Sequence, residues 1–145
     1  MEEGDYELTP APQEPRAREL WLQHAVGHML LTQVGGYAAQ QIAKGLSTGE
    51  RAAAVKAIHD TLYGLMMLID GVSAPIRGNG HEVRLRFLAE LVRPEMGDEV
   101  LSSLDLFEDG DGMCMGFHGW LAGDFGEPSP VQRKTGSVQG GGEAG

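Results

Sequence analysis

An α+β fold, with two long helices packed on a small antiparallel sheet, is what this 145-residue sequence predicts. Three observations carry that expectation. Two long segments repeat apolar residues at helical spacing. A later run, VRLRFLAELV from Val83 to Val92, alternates them with polar ones, and turn signals separate the segments. The alternative is an all-α helical bundle, because a helix over 82–92 would also bring Val83, Phe87, Leu88 and Leu91 together.

The length suits one domain. Hydrophobic residues make up 41%, slightly low for a globular chain, and both ends contribute to that deficit. Residues 1–15 are acidic and proline-spaced, and residues 126–145 are rich in Gly, Pro and Ser. Neither stretch holds enough apolar surface to offset the entropy of ordering, so both are expected to be disordered tails around a single domain over 16–125.

The first helix is expected from Ala17 to Lys44. Its apolar positions, including Leu22, Ala25, Val26, Met29, Leu30, Leu31 and Val34, wrap most of the circumference, which predicts a central position. Gly35 and Gly36 either split it or admit a close neighbour. From Leu20 to Ala43 no residue is charged, a length that could cross a bilayer. Gln23, His24, His28, Thr32, Gln33, Gln40 and Gln41 make insertion costly, so a buried helix is the expectation.

Ser47 and Glu50 stand at capping-box spacing and open a second helix. It should run to Asp70, end at Gly71, and bury Val55, Ile58, Leu62, Leu65, Met66 and Ile69. A short link makes the two helices an antiparallel pair. RGNG, residues 77–80, is turn chemistry, since Gly and Asn accept positive φ. If strand, the run after it points Val83, Leu85, Phe87, Ala89 and Leu91 to one face. EVLSSLDLF suggests a second strand, and MCMGFHGWL a short helix or turn laying aromatic rings over the core.

His24 and His28, one helical turn apart, match how helices present two metal ligands, with His59 and Asp60 on the second helix as further donors. The residues between them are Ala25, Val26 and Gly27, so the general-base Glu of a metalloprotease motif is missing. The metal reading, with zinc or another divalent transition metal on His24, His28 and His59, stands as the alternative to a cofactor-free protein with structural histidines. A calcium loop in DLFEDGDG fails, because Phe107 would stand first and His118 last where carboxylates are needed. Cys114 is the sole cysteine, so no intramolecular disulfide forms. A Cys114–His118 nucleophilic pair is geometrically conceivable on a helix, but no orienting Asn or Asp is marked. No G-x-S-x-G or P-loop is present.

The net charge of −10 argues against nucleic acid and anionic membranes as partners. The N-terminus has acids where a secretory signal needs basic residues, so a cytoplasmic setting is expected. Between Pro94 and Glu127 there are nine acids and no Lys or Arg, interleaved with Phe107, Phe117, Trp120 and Phe125. Such a surface suits a basic protein partner, with charge accelerating encounter and rings supplying affinity. The expected contacts are Asp105, Glu108, Asp109, Asp111, Phe117, Trp120 and Asp124. In size, acidity and lack of a catalytic set the chain is similar to small bacterial proteins that neutralise a basic toxin or nuclease. That likeness implies an immunity-like, non-enzymatic interaction protein. A homodimer is compatible with the two-helix core.

Overall fold

The computed structural model describes residues 4–134 and is α+β. Strand β1 is Tyr6–Leu8. Helix α1, Pro15–Met29, has Pro at its first turn and Glu14 as N-cap, the Glu14 carboxylate accepting from the Ala17 amide. It continues through a π-helical stretch, Leu30–Gly35, into α2, Gly36–Gln40. The glycine pair therefore does not split the rod. Gly35 instead receives α3, since a Cβ there would stand 3.0 Å from Leu62 Cδ1.

Helix α3, Thr48–Ile69, begins with the expected capping box. The Ser47 amide donates to Glu50 Oε1 at 2.9 Å, and the Glu50 amide donates to Ser47 Oγ at 3.1 Å. Of its expected core stripe, Leu62, Met66 and Ile69 are buried, whereas Val55, Ile58 and Leu65 are only partly covered. The far end of the first rod is likewise open, with Met29 and Val34 exposed. Among the described residues α3 is also the one helix long and apolar enough to cross a bilayer, a property shared by core helices of soluble proteins.

Three two-stranded antiparallel pieces replace the single expected sheet. Strands β2, Ile76–Gly78, and β3, His81–Val83, form a hairpin over Asn79 and Gly80, both at positive φ. Strand β4, Leu88–Arg93, pairs with β5, Glu99–Asp105, with a register shift between Leu91 and Val92. The alternating run is thus extended rather than helical, but its ladder is realised only at its two ends. Ala89 and Leu91 turn toward the core as expected, while Val83 and Leu85 are exposed.

Helix α4, Met113–Leu121, lies across α1 and α3 and supplies Met113, Phe117 and Trp120 to the core. Trp21 and Leu22 of α1, Leu104 of β5 and Leu106 complete it. The inner parts of both expected tails belong to this unit. Strand β6, Val131–Arg133, pairs with β1, matching Tyr6 to Arg133 and Leu8 to Val131. The Thr9 hydroxyl donates to the Ser129 carbonyl at 2.7 Å and accepts from Trp21 Nε1 at 3.1 Å. Composition underrated these ends because a backbone ladder needs few apolar residues once a core indole anchors it. The folded unit therefore extends past 16–125, and the outermost parts of the expected tails, 1–3 and 135–145, lie outside the described residues.

Gly27 is the tightest point between α1 and α4. A Cβ there would overlap the buried Trp120 indole, a rigid ring with no room to retreat. Gly27→Ala is expected to destabilise the protein by about 1–3 kcal/mol, despite the better helix propensity of alanine. Gly36→Ala, where an added Cβ would meet nothing within 4 Å, is expected to be neutral or stabilising. Urea midpoints of the two variants test the contrast.

Candidate functional site

The two histidines of α1 are occupied in holding the fold. His24 Nδ1 accepts the Trp120 indole N–H at 2.9 Å, which fixes the imidazole as neutral with its proton on Nε2. Gly126 covers the ring's other nitrogen. His28 is buried between two edge-on rings, Tyr6 at 4.6 Å and Phe125 at 4.9 Å. Desolvation lowers both imidazoles below the ordinary 6.5, opposed at His24 by the charges of Asp124 and Asp111. His59 stands apart on α3, in a small cleft with Leu31, Val55 and Leu121. Among the described residues no three His, Cys, Asp or Glu groups come together as a metal site, so His24, His28 and His59 are not assembled as the metal reading required.

The acidic segment is also built differently from expectation. Phe117 and Trp120 are core residues, 3% and 2% exposed, and so are corrected from partner contacts to structural ones. The acids of the loop after β5 fold it. Asp105 accepts from the amides of Phe107 at 2.9 Å and Glu108 at 3.3 Å, and these bonds with Arg86 hold its carboxyl below the usual range. Asp109 accepts from the Asp105 amide at 3.0 Å, and Asp124 from the Gly126 amide at 3.0 Å. Arg86 also reaches Glu108 at 3.2 Å, and Arg16 pairs with Asp111. The segment has no Lys or Arg of its own, yet Arg16, Arg86 and Arg93, all outside it, compensate part of its charge.

Gln23 was invisible as a functional position. Only 4% exposed, it donates to the Gly112 carbonyl at 3.0 Å and accepts the Asp111 amide at 2.6 Å, clamping the acidic loop to α1. An uncharged polar residue in an otherwise apolar helix turn was the available signal. The Cys114 side chain is set beside Asp70 and Tyr63. Burial and the neighbouring Asp70 carboxylate push its thiol upward, while His118 stacks on Tyr63. Asp70 accepts the Met113 and Cys114 amides at 2.7 and 2.8 Å and so caps α4.

A groove lies open at the C-terminal end of α3. Leu68 and Gly71 form its floor at the helix end, the β2–β3 hairpin forms one wall, and Phe107 forms another. Gly71, at φ 74°, permits both the turn out of α3 and the seating of the Phe107 ring against its backbone. The concavity encloses about 530 Å³, ample for several side chains of a ligand. Ile76, Val83 and Leu85 present apolar surface there, at 78%, 65% and 55% exposure.

Three arginines border it. Glu82 holds Arg84 at 2.7 Å and Arg77 at 3.3 Å, and its own carboxyl is lowered mainly by the Arg84 bond. The Arg86 guanidinium lies 4.4 Å from the centre of the Phe107 ring. The sequence reading placed Val83 and Leu85 in the core, so this surface went unrecognised. No known family, curated protein or solved structure matches the chain.

The histidine geometry fixes a pH response. Since both folded-state values lie below 6.5, stability is retained above that pH and is lost as pH falls below it and through the lowered values. Urea midpoints are expected to drop between pH 7.5 and pH 5. A His28→Phe variant, which keeps an aromatic ring and cannot charge, is expected to show a shallower drop.

Proposed function

We propose that this protein is a non-enzymatic interaction module that receives an apolar segment of a partner protein in the groove between α3, the β2–β3 hairpin and Phe107. The observation that carries the reading is a preformed concavity whose lining side chains Ile76, Val83 and Leu85 stay exposed in the isolated chain. Contiguous exposed apolar surface is costly to keep unless something covers it. Apolar side chains and ion-paired arginines make up most of the groove's lining, and its one carboxylate, Glu82, is engaged by Arg77 and Arg84. Anchoring side chains in such pockets dominate protein–protein affinity. The net charge of −10 favours a partner that is basic overall during encounter, independently of the charge on the segment that enters the groove.

Ile76→Asp and Val83→Asp, made one at a time because the two residues face each other across β2 and β3, each place a charge in the groove without touching the core. Immobilised wild-type protein is expected to retain a partner from lysate of its own cells at near-stoichiometric yield, and each variant to lose it with an unchanged circular dichroism spectrum. Retention of the same proteins by wild type and both variants would remove the groove from the function.

A further inference from the structure

From His81 to Arg93 the backbone runs without turn or bend, but only its two ends are laddered, β3 to β2 and β4 to β5. Arg84, Leu85 and Arg86 make no backbone hydrogen bond to another described residue, and neither do Ser73, Ala74 and Pro75 across the groove. The sequence of this interval is that of a half-buried strand, with Val83, Leu85 and Phe87 alternating with two arginines. Among the described residues no strand pairs with 84–86, so their backbone groups are free to meet an added strand.

Resting on the groove reading above, we propose that residues 84–86 accept an extended partner segment by strand addition, and that this segment alternates apolar with acidic side chains. Main-chain bonds to 84–86 would give affinity, and the groove would take alternate side chains. The acidic preference follows from the rim, where Arg77, Arg84 and Arg86 stand around the apolar floor in solvent-accessible ion pairs with Glu82, Asp105 and Glu108 that an incoming carboxylate can replace. Opposite charges across a strand pair are favourable and like charges directly opposed are not. The same rule disfavours a second copy as occupant. Antiparallel self-pairing centred on Leu85 sets Arg84 against Arg86, and a register one residue away sets Leu85 against an arginine.

The test uses the full chain and three short peptides: one alternating glutamate with valine, one alternating lysine with valine, and the first with alternate amides N-methylated. Calorimetry is expected to show binding of the glutamate peptide, weakened about tenfold or more in the lysine peptide and in the N-methylated form. Leu85→Pro, which deletes the central N–H at an exposed position, should abolish binding while the thermal melt stays intact. Arg84→Glu with Arg86→Glu should reverse the charge preference.

Equal affinity for the methylated and unmethylated peptides would overturn strand addition yet leave the groove as a docking site. Absence of peptide binding, with partner retention still sensitive to Ile76→Asp and Val83→Asp, would overturn this inference alone. Sedimentation showing a dimer that Leu85→Pro dissolves would make a second copy the occupant. Saturable binding of decanoate without peptide binding would make the groove a small-molecule site.

Discussion

Much of the structure depends on where one indole ring sits. Trp120 lies against Gly27, donates its N–H to His24, and is almost fully buried between α1 and the rest of α4. Buried indole nitrogens need an acceptor, and His24 provides one only as the neutral tautomer with Nδ1 free. This bond and the missing Cβ at residue 27 set the approach of α4 to α1. Phe117 then falls against Tyr63 of α3, at 5.2 Å between ring centres, and the three helices share one core.

With α4 placed, the path of the acidic loop is constrained. It must turn from β5 into the first turn of α4 across the face of α1, and it arrives with backbone groups that need partners. Gln23, Glu19 and Asp70 meet them: Gln23 at Asp111 and Gly112, Glu19 at Gly110, Asp70 at Met113 and Cys114. The loop's own carboxylates close its turns, as Asp105 does for Phe107 and Glu108. Acids that bond amides and arginines have less attraction left for a foreign cation. Local acidity here belongs first to folding.

Features that depend on neighbours in the chain were legible in the sequence. The Ser47–Glu50 cap, the span of α3, the turn at Asn79–Gly80 and the shift to a strand pattern after it all rest on contacts a few residues apart. Those that depend on distant partners were not. The pairing of Tyr6–Leu8 with Val131–Arg133 joins the two ends, and strands this short leave almost no periodicity to read. Arg16 and Arg86 reach acids far away in sequence, so a segment without basic residues looked uncompensated when counted alone. Phe117 and Trp120 were correctly expected over the core and also nominated as partner contacts, roles that full burial makes incompatible.

The same logic explains why the groove was missed. A period of two states that one face of a strand is to be covered, but not by which chain. The sequence argument assigned Val83 and Leu85 to the internal core, and the structure leaves them uncovered beside an unladdered backbone. Exposed strand edges invite indiscriminate pairing, and charged side chains are a common safeguard. Here Arg84 and Arg86 flank the open stretch, while Glu82 holds Arg84 and Arg77 in defined positions. Exposed ion pairs of this kind contribute little to stability. Their physical consequence is selection: the arginines repel another copy of the same strand, and a carboxylate-bearing strand can replace the weak pair at Glu82 with contacts of its own. The arrangement that guards the edge thereby also defines what is admitted to it.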